Sequence, residues 1–557
     1  MRFYSLFLCA LLASPAVAQW NPAAGQWGKV DAADLRVMTY NIEDGLCSSN
    51  TKVEGQNDWC GLARLVAAFK PDVLVLEECG DNTGQGTGSG VDSVATLTTV
   101  IGMFFHGGVD TFNGSTAITS WVQKYAPTYD LPFVFISSET DGFNRNVILS
   151  RYPFTDLNGD TKSTQSDIPT VTATGYAQGG DGGIRGFAFV EIDLPNGTYR
   201  GDLVVGGAHM KAGSLTSDHD ARVKGATNVA YAVRNWFNGN GGATPDPAAK
   251  IADSPAATLV LDAFTPVILA GDFNEDELQN GVVRGPLDWL SQALTVGGTS
   301  DGTDRDGTDM TVDGALNFFT GSDASHSSGD KFDYIAFQDS IAQLRLATIF
   351  ISGSTPPAGQ PPEVIGFTGG TSSVTSTASD HRPVFVDLRL PFVDCNGNSV
   401  ADSTDIALGS SLDSNANQVP DECECLVNNY CVLSPNSVGA GGLIAQSGSL
   451  SIAVNNFTLL ANNVPFNTIG LFFYSQTQAQ IAFGNGTRCI GGAIQRLPLV
   501  TADSFGLVTF PLNFNALVPP GVIAPGQDWN FQYWFRDSAA GGSNFNLTNG
   551  LRVRFCP

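Results

Sequence analysis

The 557-residue chain is short of positive charge: 28 Lys and Arg stand against 54 Asp and Glu, a formal net charge of −26. A field of that sign does not draw polyanions in from a distance, so a nucleic-acid ligand would need local basic groups or bound cations to offset it. No dense Lys/Arg cluster marks a track for a phosphate backbone, and from residue 425 onward lysine is missing and arginine occurs five times. Strong acidity in an exported chain more often serves solubility and divalent-cation affinity. After the first 18 residues no segment offers about 20 uninterrupted apolar residues, which excludes a helical membrane span. Cysteine is scarce and unevenly placed, with Cys9, three at the front (Cys47, Cys60, Cys79) and six after residue 394.

What is present starts with residues 1–18. One Arg, the apolar run "FYSLFLCALLA" and then "AVA" before Gln19 form the pattern of a secretory signal, which predicts a mature, secreted (extracellular or periplasmic) chain from near Gln19. Loss of Cys9 leaves nine cysteines, so one thiol is left over or pairs outside the chain. Export makes disulfides plausible, and Cys47 with Cys60 is the preferred front pair, tying a polar loop. The length is too great for one hydrophobic core.

Up to about residue 391, strand-like runs ("LRVMTYNI", "DVLVLE", "FNRNVILS", "GFAFVEIDL", "DLVVGGAHM", "PVILAGDF", "DYIAF", "PVFVDLRL") alternate with a few helical patterns, the mark of an α/β layered domain. "GLARLVAAF" presents Leu62, Leu65, Val66 and Phe69 on one helical face and ends before Lys70-Pro71. "ARVKGATNVAYAVRNWF" does the same with Val223, Val229, Ala230, Val233, Trp236 and Phe237. Two Gly, Thr and Ser-rich loops are expected at 80–114 and 298–329. Composition shifts at Pro391. Residues 394–424 carry Asp and Asn at regular spacing, and 425–557 read as short β runs broken by Gly, Pro and Asn, the cue for an antiparallel sandwich.

The strands of the first segment end alike. "MTYNIEDG" leaves its strand on Asn41 and Glu43, "DVLVLEECG" on Glu77 and Glu78, "GGAHMKAG" on His209 and "ILAGDFNEDE" on Asp272 and Asn274; "DKFDYIAF" holds Asp333, and "STASDHRPVF" delivers Asp380 and His381 just before a strand. Any one of these could be a turn residue. Together, hard oxygen ligands and two histidines are the parts needed to hydrolyse a phosphodiester with a divalent cation. His106, His219 and His326 are read as ordinary hydrogen-bonded groups, Arg145 as a residue in reach of phosphate and Arg151 as a structural pairing residue.

In this order and with these flanking residues, the set resembles the endonuclease/exonuclease/phosphatase superfamily over residues 34–391. The resemblance implies a four-layered α/β/β/α sandwich, two mixed sheets with helices outside, and Mg²⁺ or Mn²⁺ at one end. By position, Asn41 resembles the metal-shell asparagine and Glu78 the metal-ligating glutamate, with Glu77 the alternative one residue earlier, where the family usually has Gln. The resemblance further implies that Asp272 orients or deprotonates the attacking water and that Asn274 holds a phosphate oxygen. It likewise implies that His381 contacts the scissile phosphate, that Asp380 lies close to the metal, that Asp333 orients His381, and that His209 is a general acid or phosphate donor. The substrate is written in variable loops. Export favours extracellular nucleic acid, with a sphingomyelinase-like phospholipid diesterase as the rival and a catalytically inactive surface-binding protein as the reading of another class. A lipid esterase would want an exposed aromatic hairpin, for which Met103, Phe104 and Phe105 in "IGMFFHGG" are the candidate, against core packing.

Asp394, Asn396, Asn398, Asp402 and Asp405 fall at positions 1, 3, 5, 9 and 12 of a loop, and Asp413, Asn415, Asn417, Asp421 and Glu424 repeat the spacing. This is the oxygen pattern of twelve-residue Ca²⁺ loops, without the usual glycine at position 6 (Ser399, Gln418), and the pair resembles dockerin-like or thrombospondin type 3 repeats. Cys395 and Cys423 are placed to staple it. The tail resembles C-terminal β domains of secreted bacterial proteins; glycan or cell-surface contact is an option for "WNFQYWF", although alternating aromatics in a sandwich are usually core.

Overall fold

The computed structural model describes residues 20–556 except 53–56, 81–90, 120, 139, 141–143, 163, 166–187, 223–224, 227–228, 230–236, 238–256, 260, 277–310, 340 and 414–416. The expected signal segment, most of the second expected helix, Asn415 and parts of both long loops therefore lie outside the described residues. The chain divides into two compact units, Met1–Val393 and Asp394–Pro557. No helix among the described residues is long and apolar enough to cross a membrane.

In the first unit, apart from two small two-stranded ladders (20–21 with 26–27, and 107–110 with 116–119), the strands are β1 (Leu35–Asn41), β2 (Val73–Cys79), β3 (Phe133–Ile136), β4 (Arg145–Ser150), β5 (Thr164–Gln165), β6 (Ala188–Ile192), β7 (Leu203–His209), β8 (Val267–Asp272), β9 (Thr311–Val312), β10 (Asp333–Phe337), β11 (Gln343–Ile349) and β12 (Val384–Arg389). They form two mixed six-stranded sheets, β11-β12-β1-β2-β4-β3 and β9-β10-β8-β7-β6-β5. In each sheet one central pair is parallel, β1 with β2 and β7 with β8, and the flanking pairs are antiparallel. Parallel neighbours need a crossover. Helix α1 (Asp58–Phe69) supplies it between β1 and β2; Asn57 caps it by accepting the Cys60 N–H at 3.1 Å, and Lys70 closes it in the left-handed conformation.

Alternation along the strands sorts the core into layers. Leu35, Val37, Val73 and Val75 of one sheet meet Val205, Ile268 and Ile335 of the other. Met38, Tyr40, Leu74 and Leu76 point outward against Trp59, Val66 and Phe69 of α1 and Leu97 and Phe104 of α2 (Val94–His106). On the far side, Val204, Ala208, Val267 and Leu269 pack with Ala226, Val229 and Phe237. Helix α2 corrects the expectation of an unbroken loop over 80–114. Its threonines hide the apolar face formed by Leu97, Val100, Ile101 and Phe104, and Ser93 caps it. Met103, Phe104 and Phe105 are buried there, so they touch no membrane. The expected Cys47–Cys60 disulfide is also corrected: both are buried and neither is bridged, Cys60 because its helical position points it into the core, while Cys47 Sγ faces Ser49 Oγ at 3.5 Å.

Glu191 of β6 is buried among backbone donors and acids. Burial first, with Asp160 and Asp156 adding, raises its carboxyl to about 7, although the N–H groups of Leu157 and Asn158 at 2.5 and 3.2 Å pull the other way. The native protein then holds a proton that the unfolded chain has lost. Glu191 thus contributes stability below about pH 4.5 that is lost as pH rises toward 7, up to about 3 kcal/mol. Glu191→Gln keeps an oxygen for both N–H groups, so its unfolding free energy should decline less between pH 4.5 and 7 than that of the parent; parallel urea titrations with equal slopes would refute this.

In the second unit, α4 (Asp402–Leu408; α3 is the short Val374–Ala378 helix of the first unit) precedes strands β13 (Leu426–Tyr430), β14 (Leu443–Ser447), β15 (Thr458–Asn462), β16 (Ile469–Ser475), β17 (Thr477–Phe483), β18 (Gly486–Gly491), β19 (Gln495–Thr501), β20 (Val508–Pro511), β21 (Asp528–Arg536), β22 (Phe545–Leu547) and β23 (Gly550–Arg554). One sheet runs β13-β23-β21-β16-β19 with β22 beside β21; another is β14-β15-β20; β17 and β18 form a hairpin. Trp529, Phe531, Tyr533 and Phe535 of β21 are core residues together with Leu459, Phe472 and Phe555, so that aromatic row offers no sugar platform. Disulfides join Cys395–Cys423, Cys425–Cys556 and Cys431–Cys489.

Candidate active site

Strand direction gathers the polar residues. The parallel pair β1/β2 ends together, with Asn41 opposite Glu77, and β7/β8 ends with His209 opposite Asp272. β10 runs against β8, so its first residue, Asp333, pairs with Asp272. β12 runs against β1, so the segment before it, Ser379–His381, arrives at the same edge. Ser379 fixes that segment: its Oγ donates to the Asn41 carbonyl at 2.7 Å and accepts the His381 N–H at 3.0 Å. Gly271 lets β8 come close to β7. A Cβ there, at φ +143°, would sit 1.9 Å from the Ala208 carbonyl oxygen, so a side chain at 271 would displace Asp272.

Asp272, 1% exposed, is the hub. Its Oδ2 accepts from Asn41 Nδ2 at 3.0 Å and Asn274 Nδ2 at 3.1 Å, and lies 3.5 Å from His209 Nε2 and 3.7 Å from His381 Nε2. Asn274, at φ +52°, also donates its backbone N–H to Asp272 Oδ1 and its amide to the Met210 carbonyl, which ties the loops after β7 and β8 together. Glu78 Oε1 accepts from Asn41 Nδ2 at 3.2 Å and stands 3.6 Å from His209 Nε2. Asn41, Glu78, His209, Asp272 and Asn274 therefore form one connected group.

The adjacent glutamates take different places. A register shift between Leu76 and Cys79 interrupts the β2/β4 ladder, and Glu78 sits at φ +57°, a conformation that non-glycine residues seldom hold. This turns Glu78 toward Asn41 and His209. Glu77 is fully buried behind it, accepts from Thr39 Oγ1 at 3.0 Å, and leaves Oε2 with no hydrogen-bond partner. Burial, then the charges of Asp333 and Asp272, push its carboxyl well above the usual range.

His381 Nδ1 meets Asp333 Oδ2 at 2.9 Å, which points Nε2 at Asp272. Burial works against a charge on this imidazole, yet the carboxylates of Asp333, Asp272 and Asp380 together raise its pKa; burial likewise raises Asp272, while the His381 cation pulls it down. Asp380 is more exposed and lies at the rim, where Glu43 accepts its N–H at 3.0 Å. His326, read from sequence as an ordinary structural group, belongs here. Its Nε2 meets Asp380 Oδ2 at 3.2 Å, its ring centre is 4.7 Å from that of His381, and its Nδ1 meets Ser328 Oγ at 2.6 Å. The segment "SHSSGDK" has no signal that could reveal this, because the contact is an antiparallel bridge between His326 and His381, 55 positions apart. The other two histidines stay apart from the cluster, His106 against Asp130 and His219 against Glu275. Arg145 donates to the carbonyls of Asp92, Ser137 and Ser138, and Arg151 pairs with Asp72.

The donor set fits a hard divalent cation. Ligand atoms of Asp272, Asp333 and His381, and those of His326, Asp380 and His381, lie within 4.8 Å of one another. Asp333 Oδ1 and Glu77 Oε2 are buried with no hydrogen-bond partner. Buried carboxylates in excess of protein cations, with amides and imidazoles, suit Mg²⁺ or Mn²⁺ better than a soft metal.

In the second unit the two acidic loops adopt one turn twice. Asp394 accepts the N–H groups of Gly397, Asn398 and Ser399, and Asp413 accepts those of Asn417 and Gln418. Asn398 Nδ2 donates to Asp405 and Asn417 Nδ2 to Glu424, so positions 5 and 12 are adjacent in both. Asn396 accepts the Asn398 N–H, and Asp402 accepts that of Cys395. Ser399 and Gln418 hold φ +67° and +68° at position 6, taking the backbone conformation in which glycine is usual. Asp421 begins a single turn of 3₁₀ helix, and the Cys395–Cys423 disulfide links the loops.

Residues 38–381 match the model of the Endonuclease/Exonuclease/phosphatase family. No curated protein matches the chain. Among solved structures it is similar to an endonuclease/exonuclease/phosphatase family protein from Bacteroides thetaiotaomicron, with 13% identity, 65% of this chain and 98% of that one covered, and a TM-score of 0.32. It is also similar to a mannosyl-6-phosphatase of Bacteroides thetaiotaomicron VPI-5482 (14% identity, 64% and 99% covered, TM-score 0.33) and to a beta toxin from Staphylococcus aureus (12%, 63% and 99%, TM-score 0.31).

Proposed function

Since this chain belongs to the endonuclease/exonuclease/phosphatase family, we propose that it is a divalent-metal-dependent phosphodiesterase and that its substrate is extracellular nucleic acid. The observation that carries this reading is the Asp333–His381 pair aimed at Asp272, beside Asn41, Glu78, His209 and Asn274 on one sheet edge.

Asn41, Glu78 and Asp380 are the residues to hold Mg²⁺ or Mn²⁺, which when bound supplies positive charge against the phosphate oxygens. The remaining steps are the chain's own. Asp272 orients the attacking water and takes its proton. Asn274 donates its amide to a non-bridging oxygen. His381, held as the imidazolium by the Asp333 carboxylate that accepts from Nδ1–H, presents an Nε2–H to the phosphate as charge builds, and His209 protonates the leaving oxygen. In the same reading Ca²⁺ occupies the 394–424 loops, and the chain is exported, a reading that the three disulfides of the second unit support.

Plasmid DNA tests the substrate. Nicking is expected with Mg²⁺ or Mn²⁺, and loss of at least 99% of it in excess EDTA, with recovery when Mg²⁺ is restored. Val109 and Phe112, exposed at the hairpin that spans residues 107–119, favour a phospholipid diester as the second reading. Sphingomyelin turnover without DNA cleavage would select it. Silence on every phosphodiester with Mg²⁺, Mn²⁺ and Ca²⁺ would leave a binding protein built on an inactive scaffold.

A further inference from the structure

We propose that the second unit binds a small amphiphilic anion, an apolar body ending in a single acidic group, in a cavity beside β21. The cavity measures about 370 Å³, within the range of small-ligand sites. Alternation along β21 sends Trp529, Phe531, Tyr533 and Phe535 into the core and Trp534 to the opposite face. There Trp534 lies across from Leu471 of β16 and packs with Phe473, Phe545 and Leu547. Phe483 and Arg488 of the β17–β18 hairpin, Ile494, and Arg496 of β19 complete the lining. The walls are aromatic and aliphatic, and the polar groups that stand out are two guanidiniums.

Those guanidiniums are what select an anion. From residue 425 onward the chain has five arginines and three aspartates, against the strong acidity of the whole. Arg552 and Arg554 are used by Asp528, at 2.7 and 3.0 Å. Among the described residues no carboxylate lies within ion-pair distance of Arg488 or Arg496. Arg488 Nε is buried with no hydrogen-bond partner, and its guanidinium faces the Phe483 ring, 5.7 Å from the centroid. A planar fork of donors beside an apolar hollow matches a carboxylate or similar oxyanion carried on a hydrocarbon or aromatic group. A hydrocarbon would leave Arg488 Nε unsatisfied and a neutral acceptor would offer no charge against the guanidiniums, while two arginines around one hollow make no track for a polyanion.

Calorimetric titration of the full chain with octanoate, octanesulfonate and 1-octanol tests this. Both anions should bind saturably and the alcohol at least tenfold more weakly; octanoate without octanesulfonate would narrow the ligand to carboxylates. Arg488→Gln/Arg496→Gln should weaken octanoate binding at least tenfold with phosphodiesterase activity unchanged. Arg496→Gln alone, at an exposed position, should weaken it in the same direction and serves if the double variant does not fold. Failure of octanoate to bind saturably, equal binding of 1-octanol, or full affinity in Arg496→Gln and the double variant would each overturn the proposal.

Discussion

His381→Ala is expected to lower turnover on plasmid DNA by about 10³-fold or more, the largest single loss in the site. The imidazole is nearly buried, its Nδ1 is occupied by Asp333, and its Nε2 is directed at Asp272. It cannot be replaced by water at the same place with the same orientation. Asp333→Asn keeps the shape but removes the negative charge that favours the imidazolium; with the amide oxygen accepting from Nδ1–H, the neutral ring keeps its one proton at Nδ1 and leaves Nε2 with none to donate. A loss of about 10- to 100-fold in kcat, with KM changed little, follows. Because Asp333 acts through His381, the double variant should be no worse than His381→Ala alone. Steady-state kinetics on a fluorescent oligonucleotide measure all three. Unimpaired cleavage by His381→Ala would remove the assigned site, and additive losses would show that Asp333 has a separate role.

Asp387→Ala should destabilise the first unit by about 3–5 kcal/mol, the largest effect on folding expected from a single exchange outside the site. Arg36 and Asp387 are cross-strand partners on β1 and β12, both essentially inaccessible, joined by two hydrogen bonds at 2.6 and 2.8 Å. The remaining guanidinium donor serves the Trp27 and Phe69 carbonyls, and the group stacks on Phe385 at 4.7 Å. Removing the carboxylate strands a charge with no route to water. Arg36→Met/Asp387→Leu removes both charges and should recover much of the loss. Urea unfolding followed by fluorescence, with the double variant as reference, decides it; a loss below about 1 kcal/mol in Asp387→Ala would mean that water reaches the guanidinium.

Most strands of the sheets are legible in the apolar alternation, and the points where those runs stop put Asn41, His209 and Asp272 at strand ends and Asp333 at a strand start. Whatever depends on neighbours from elsewhere in the chain is not legible there. Threonines on one face of α2 masked a helix whose other face is core, and neither Cys47 nor Cys60 carries a mark of which way it points.

By itself, then, the amino-acid order determined which strands carry acids, amides and imidazoles at their ends, because that depends on period-two burial and on where each apolar run stops. Tertiary structure alone decided that Glu78 rather than Glu77 turns toward Asn41 and His209, since a break in the β2/β4 ladder and a left-handed backbone set the choice. It also decided that His326 stands against His381 and that Arg488 faces an apolar hollow, since each depends on which distant segment a strand or loop pairs with.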